Sequence, residues 1–277
     1  MGSERQIGEL LNLFLALFLF NSIILSHDFG RFVAAKFFKI KVTVFSIGFG
    51  PIFLKRDVKG TTYAISTILV GGYVWFLGAK DEEDIQDSDK VHAYRFQKPW
   101  IRIFITLSGP IMGAIFSILL LTAVNISQIS HKQSVGVNIS SPYNYLYALP
   151  LAIQNAAGST IKVFDKFKNI ATSKDEFKNL SGIMLFLKTV HKQKEVGLSN
   201  YLTILAFLNF NIAILSMLPL PSLDGWNILY LVYEWITGVG VKTKTRKIID
   251  RSGVMVMTIA FACLIIMDVL KIAPLIQ

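Results

Sequence analysis

The pattern of hydrophobic and polar positions along this chain is dominated by long apolar segments that few charges interrupt. Four of them stand out, at 7–25, 103–124, 201–218 and 254–270. A helix needs about 20 apolar residues to cross the roughly 30 Å hydrocarbon layer of a membrane, and each segment approaches that length. The pattern therefore predicts a mainly α-helical integral membrane protein with about four transmembrane helices.

The stretch at 42–78, between the first two apolar segments, has a different texture. It is rich in valine, isoleucine, threonine and aromatic residues, and glycines interrupt it repeatedly. Strands favour the first group and turns the second, so we predict a membrane-associated β hairpin with its tip at 57–60. Further along, 155–195 mixes hydrophobic residues with many lysines and is predicted to form an amphipathic segment at the membrane interface.

Composition supports the membrane assignment and explains the charge. Hydrophobic residues make up 53% of the 277 residues and charged residues only 17%. The net charge of +10 is concentrated beside the apolar segments, at 36–59 and 242–251. By the positive-inside rule these connections face the cytoplasm, which predicts extracytoplasmic termini. The chain lacks the mixture of basic and aromatic residues typical of nucleic-acid binding. We therefore predict that its basic residues interact with the lipid bilayer and not with nucleic acid.

Candidate chemistry lies just after the first apolar segment, in His27-Asp28-Phe29-Gly30-Arg31. Zinc metalloproteases carry His-Glu-x-x-His on a helix, because side chains four residues apart share a face and can bind one metal ion beside the carboxylate. Here Asp28 stands at the position of the general base and Arg31 at that of the second histidine. A guanidinium has no lone pair to donate and stays protonated, so it opposes binding of a dication. Taken alone, the string also fits a polar helix end at a membrane boundary.

A second polar group accompanies the third apolar segment. Asn209 and Asn211 lie within that segment, and Pro219-Leu220-Pro221-Ser222-Leu223-Asp224-Gly225 follows at its end. Two prolines so close together cannot continue a helix, and an aspartate beside a membrane segment is costly unless it is paired. The residues alone leave open whether Asp224 is a functional carboxylate or simply caps the next helix. The single cysteine, Cys263, excludes an intramolecular disulfide and a cysteine-based metal cluster.

Taken together, these groups resemble the site-2 protease family of intramembrane zinc metalloproteases, in particular the bacterial regulator-of-sigma-E type. The resemblance covers nearly the whole chain. Three segments match short motifs of the family outside the C-terminal part: 26–31 matches its His-Glu-Phe-Gly-His helix, 45–50 matches Phe-Ser-Ile-Gly-Phe-Gly, and 63–74 matches its membrane-associated β hairpin. Three more follow along the chain: 98–110 matches the start of its second span, 179–182 matches Asn-Leu-Ser-Gly, and 219–225 matches Pro-x-Pro-x-Leu-Asp-Gly.

The resemblance implies a role for each matched residue. It makes His27 the first zinc ligand and Asp224 the third, with Arg31 at the second-ligand position and Asp28 at that of the catalytic glutamate. The positions that it implies for substrate binding are Asn211, Gly71, Gly72 and Tyr73. The cofactor that it implies is Zn²⁺, and the substrates or clients are membrane-spanning segments of other proteins.

Further family positions near this centre are changed. The departures are Gly113 and Ser216 where the family has asparagine, Ile183 where it has proline, and Trp226 and Asn227 where Gly-His is common. Losing a ligand, shortening the base and adding a fixed positive charge all oppose zinc-dependent hydrolysis. We therefore predict that zinc binding is weakened by Arg31.

Two functions fit these observations. The first is a degenerate homologue, a pseudoprotease with lost or strongly reduced proteolytic activity that acts in binding or regulation. The second is an active intramembrane metalloprotease with a non-standard zinc site made of His27, Asp224 and Asp28. A transporter has little support, because the spans give no inverted repeat. In either case we expect a multi-pass protein of the bacterial inner membrane, with a single domain at 1–277 and without the PDZ domain that many relatives carry.

The family geometry also suggests what replaces the metal. Residues 27, 31 and 224 converge in that geometry, so losing a dication would leave Asp224 and Asp28 as uncompensated carboxylates in a poorly hydrated place. We therefore predict an ion pair between Arg31 and Asp224, with Asp28 as a second acceptor and a neutral His27 beside it.

Overall fold

The architecture is mainly helical with one small antiparallel sheet, as the sequence predicts. A computed structural model describes residues 21–22, 25–79, 84–134, 147–172 and 198–272. The elements are α1 at 25–37, β1 Val42–Val58, β2 Thr61–Phe76, α2 Pro99–Ser134, α3 Ala148–Thr172, α4 Leu198–Ser216, α5 Asp224–Thr237 and α6 Thr243–Ile272. Two short 3-10 helices, Asp87–His92 and Tyr94–Phe96, precede α2.

The described residues divide into two compact units. The first takes the residues up to Phe116 together with Ile212–Pro219 and Leu223–Thr243, and the second takes the remainder. The core of the first unit lies where the end of α1, the start of β1 and α2 meet. Its buried residues are Ala34, Ala35, Ile40, Val42 and Ile105.

Helix α1 packs very closely on α2 within the first unit. A Cβ built on Gly30 would lie 2.3 Å from the carbonyl oxygen of Ser108 and 2.6 Å from the Cβ of Met112. Only glycine permits this approach, and small residues commonly serve the same purpose between membrane helices. The close packing brings the side chains on this face of α1, including those of the candidate site, against the surface of α2.

Strands β1 and β2 form a two-stranded antiparallel sheet. Val58 lies opposite Thr61, and the turn between them places Lys59 and Gly60 at φ values of 49° and 77°. Glycine adopts such positive φ values without strain, which accounts for its place in this turn. The predicted hairpin and its tip at 57–60 are therefore confirmed.

The sheet bends, and its bend brings the start of β1 between the two ends of β2. Val44 pairs with Thr62 and also with Trp75. Inside the fold, the buried hydroxyls of Ser46 and Ser66 lie 2.9 Å apart and form a hydrogen bond. These contacts position the 71–74 stretch of β2 alongside β1 near α1.

Two acidic residues of the 3-10 helix Asp87–His92 each contact a lysine. Lys90 contacts Asp87 at 2.5 Å, and this hydrogen bond lowers the pKa of the Asp87 carboxyl. The neighbouring Asp89 contacts Lys41 at 3.3 Å, in an exposed ion pair. Exposed pairs of this kind contribute little to stability.

The second unit has its own core, built from α2, α3 and α4. Its buried residues are Leu121, Ala152, Ala156 and Ala206. The amide of Asn125 donates to the carbonyl oxygen of Ala148 at 3.1 Å and joins α2 to the start of α3. Part of the segment predicted to be amphipathic, 155–172, is helical here with Ile161 and Phe164 exposed, while 173–195 lies outside the described residues.

Two of the described helices are long and apolar enough to cross a membrane, Pro99–Gln128 and Ser199–Ser216. They contain most of the second and third apolar segments of the sequence. The first segment lies largely outside the described residues, and the fourth falls within α6. The mainly helical fold is thus confirmed, whereas the number of four membrane spans stays a prediction.

The close packing at Gly30 gives a direct test. We expect Gly30→Ala to lower the free energy of unfolding by about 1–3 kcal/mol, because the added methyl would collide with α2. Gly158→Ala is the matched control, since a Cβ there would have nothing within 4 Å. That change is expected to be neutral or to stabilise by up to about 1 kcal/mol, because alanine favours a helix. Unfolding in detergent would measure both, and equal effects would contradict the contact.

Candidate functional site

The candidate site forms where α1 meets the start of α5, in the first unit. Helix α1 carries His27, Asp28 and Arg31, with residues 27 and 31 one turn apart on the same face. Asp224 is the first residue of α5. The chain reaches it by a sharp reversal after α4, in which a Cβ on Gly225 would lie 2.1 Å from the carbonyl oxygen of Met217. The glycine of Asp-Gly is therefore needed for the turn that positions Asp224.

The predicted ion pair between Arg31 and Asp224 is present. One terminal nitrogen, Nη2 of Arg31, donates to both carboxylate oxygens of Asp224, at 2.5 Å to Oδ1 and 2.6 Å to Oδ2. The side chains are 31% and 13% exposed, respectively. The guanidinium therefore engages through a single amino group instead of the two-pronged fork that arginine often uses. Both oxygens that could bind a metal ion are occupied by a cation.

The imidazole of His27 is buried and turned toward α2. A Cβ built on Gly113 would lie 2.5 Å from its Nε2 and 2.6 Å from its Cδ2. Nε2 has no hydrogen-bond partner among the described residues. The first predicted metal ligand is therefore in the site region, but its Nε2–Cδ2 edge lies against the backbone of α2.

Asp28 is also buried, and the hydrogen bonds of Arg31 go to Asp224 and not to Asp28, so the predicted second acceptor is not observed among the described residues. Its Oδ2 has no hydrogen-bond partner in the described part of the chain. This oxygen lies beside β2, where a Cβ on Gly72 would be 3.2 Å from it. Because the Asp28 side chain is directed to the sheet, the Arg31–Asp224 pair forms without Asp28 as an acceptor.

The predicted substrate-binding residues fall into two places. Gly71, Gly72 and Tyr73 lie on β2, and the amide of Gly71 donates to Oδ1 of Asn21 at 2.7 Å. Gly72 pairs with Ile47 across the sheet. The structure therefore brings Gly72 beside Asp28, while the substrate-binding roles themselves stay predictions.

Asn211, the remaining predicted substrate-binding residue, belongs to the second unit. Its side-chain amide donates to the hydroxyl of Ser159 at 3.1 Å and to the carbonyl oxygen of Phe207 at 2.7 Å. Within that unit Asn211 therefore joins α4 to α3. Its role in substrate binding stays a prediction.

Sequence reasoning missed a second ion pair in the first unit. Arg102 on α2 donates to Glu234 on α5, and the arginine is nearly buried. The sequence patterns assign no role to Arg102 or to Glu234. The sequence did contain one signal: after Asp224, Glu234 is the single acidic residue of a mainly apolar α5. A buried glutamate needs a positive partner. Asn21, which accepts from Gly71, was missed for the same reason, because nothing in the sequence paired it with 71.

These residues do not fit a zinc ion. Zinc sites have at least three protein donors, drawn from cysteine, histidine and acidic residues, at about 2.0–2.3 Å from the metal. The described residues contain no group of three or more such side chains that could hold a metal ion. At the centre of the expected site, a guanidinium lies on the carboxylate and the imidazole lies against α2.

A helix with His-Asp-x-x-Arg that meets the aspartate of Pro-x-Pro-x-Leu-Asp-Gly defines the framework of a membrane metalloprotease with an altered centre. Residues 15–260 match the sequence profile of peptidase family M50. This match covers most of the chain, so the protein belongs to peptidase family M50, the site-2 protease family. The resemblance inferred from the sequence motifs is therefore confirmed.

Individual relatives agree with the family assignment. A protein of Campylobacter jejuni named "Putative zinc metalloprotease" is 24% identical over 320 residues, covering 85% of this chain and 87% of its own. A protein of Clostridium acetobutylicum with the same description is 25% identical over 332 residues, covering 92% and 94%. Metalloprotease MmpA of Caulobacter vibrioides is 30% identical over 150 residues, covering 48% of this chain and 38% of its own. The first two alignments exceed the 277 residues of this chain, so those relatives have residues without a counterpart here.

The Arg31–Asp224 pair can be tested by a double-mutant cycle. Arg31→Ala and Asp224→Ala should each lower the free energy of unfolding by about 2–3 kcal/mol, somewhat less than for a fully buried pair because Arg31 is partly exposed. The double variant should recover part of the loss, with a coupling energy of about 1–2 kcal/mol.

The exposed pair of Lys41 and Asp89, 3.3 Å apart, provides the control cycle. Its coupling energy is expected to stay below about 0.5 kcal/mol, because water screens both groups. Unfolding in detergent at low and high salt measures both cycles. Losses at 31 and 224 that simply add would show that the pair has no energetic role.

Proposed function

We propose that this protein is a non-hydrolytic member of the site-2 protease family that binds membrane-spanning segments of other proteins and acts in regulation. The single observation that carries the proposal is the contact of Arg31 with both oxygens of Asp224. The proposal assigns the protein to the bacterial inner membrane as a multi-pass protein, in keeping with the two long apolar helices among the described residues.

Loss of hydrolysis follows from the chemistry of the centre. Zinc peptidases need a metal-bound water, whose pKa the dication lowers enough to make it a nucleophile. A zinc ion at Asp224 would have to displace the guanidinium and then remain close to its positive charge. Arginine cannot relieve that repulsion by losing its proton, because its pKa is above about 12. Arginine at position 31 thus removes the second zinc ligand and also competes with zinc for Asp224, the third.

Retained binding is supported by the groups around the centre. Oδ2 of Asp28 is a buried acceptor without a partner in the described residues, and it faces β2 beside Gly72. A buried acceptor gains free energy when a donor such as a peptide N–H reaches it. Glycines on the adjoining strand keep side chains out of the way, so a backbone could approach closely. These features suit a segment that is bound but not cut.

The second candidate is an active intramembrane metalloprotease that uses His27, Asp224 and Asp28 as a non-standard zinc site. The relatives from Campylobacter jejuni and Clostridium acetobutylicum, both named as zinc metalloproteases, favour it. It requires Arg31 to release Asp224 and His27 to turn away from α2.

Zinc content distinguishes the two candidates. The protein purified in detergent with zinc in the buffer should hold well under one zinc per chain by elemental analysis, because the described residues bring together no group of three such donors, the minimum that zinc sites need. It should also leave a membrane-spanning reporter segment uncut while still being crosslinked to it in membranes.

His27→Ala and Asp224→Ala serve as controls, since neither should change a zinc content that does not depend on the site. About one zinc per chain that is lost in His27→Ala, together with cleavage of the reporter that a chelator stops, would establish the second candidate instead.

A further inference from the structure

The position of His27 depends on a feature of α2 that has no part in the ion pair. The Nε2–Cδ2 edge of its ring lies against Gly113, at 2.5 and 2.6 Å from where a Cβ would be. The side chain is only 8% exposed, so the contact is inside the fold. Non-bonded carbon and nitrogen atoms do not approach so closely, and any residue other than glycine at 113 is therefore incompatible with this ring position.

One turn earlier on α2, a second glycine has the same relation to Arg31. A Cβ on Gly109 would lie 2.9 Å from Nε of Arg31 and 3.4 Å from its Cγ. Residues 109 and 113 share a face of α2, as 27 and 31 share a face of α1, because each pair is four residues apart. The two glycines therefore form a groove that receives the two side chains of the altered motif, with 109 opposite 31 and 113 opposite 27.

We infer that Gly113 is a positioning residue that lets the Nε2–Cδ2 edge of His27 lie against α2, where Nε2 contacts neither oxygen of Asp224, so that the metal site is disabled by a second change besides Arg31. This inference rests on the proposed function only in taking the parent site to be free of zinc. The bulkier asparagine that the family resemblance places at 113 would occupy the volume in which the His27 ring lies. The observed ring position of His27 therefore depends on glycine at 113.

The inference has a consequence for rebuilding the site. Arg31→His alone frees both oxygens of Asp224 and supplies a second imidazole, but it leaves His27 lying on Gly113. Zinc donors in one tetrahedral site lie about 3.3 Å from each other, given metal distances of about 2.0–2.1 Å. Nε2 of His27 has no hydrogen-bond partner among the described residues, so in its present position it contacts neither oxygen of Asp224. A methyl group at 113 would displace the Nε2–Cδ2 edge from α2 and so free Nε2 to bind a metal ion.

The test compares zinc binding of Arg31→His with that of Arg31→His/Gly113→Ala, by elemental analysis and by competition with chelators of graded affinity. The double variant should hold about one zinc per chain, about 10-fold or more tightly than the single variant. Adding His27→Ala to the double variant should abolish the gain. Equal zinc affinity with glycine and alanine at 113 would overturn the inference.

A second measurement does not depend on metal and covers a failure of the repaired variants to fold. In chelator-treated protein, Gly113→Ala should lower the unfolding temperature, and His27→Ala should suppress that loss because it removes the ring. Gly109→Ala is the matched control, since its loss should be suppressed by Arg31→Ala and not by His27→Ala. Additive effects of the changes at 27 and 113 would overturn the inference. Zinc in the parent protein would instead overturn the proposed function, and the cycle would still report on Gly113.

Discussion

The carboxylate of Asp224 is buried enough to need a positive partner, and the arrangement of the first unit follows from this need. A buried carboxylate without a partner costs several kcal/mol, so the fold must supply a cation or a metal ion beside it. Arg31 supplies the cation from a position 193 residues away in the chain. The ion pair thereby joins α1 to the start of α5 and maintains the junction that a shared metal ion would otherwise make.

Close packing of helices makes this pairing possible. Gly30 lets α1 approach the backbone of α2, and Gly109 leaves room for the guanidinium of Arg31 between the two helices. Arg102 on α2 then pairs with Glu234 near the end of α5, so α5 is held by an ion pair at each end. In a poorly hydrated setting, such pairs are costly to form but more costly to break, since removing one partner leaves the other uncompensated. We therefore regard the two pairs as determinants of where α5 lies.

The residues predicted from sequence and those that were missed differ in the kind of information they require. The Arg31–Asp224 pair could be predicted, because the motif fixed which positions converge and charge balance fixed what they do. The hairpin could be predicted from its composition and its Lys59-Gly60 turn. The contact of His27 with Gly113 could not, since a side-chain rotamer depends on how closely two helices cross. Arg102 and Glu234 were missed because 132 residues separate them and no motif connects them.

Charge balance at the altered centre supports the proposal that the protein binds a segment without cleaving it. A zinc ion with two positive charges could compensate both Asp224 and a carboxylate at position 28, whereas the single charge of the Arg31 guanidinium is hydrogen-bonded to Asp224. Oδ2 of Asp28 is therefore left as a buried acceptor without a hydrogen-bond partner among the described residues. A donor brought by another chain would satisfy it without any bond being made or broken. On the proposed function, Arg31 takes the place of the metal ion that would activate a hydrolytic water, and Asp28 remains as a group that favours an occupied site over an empty one.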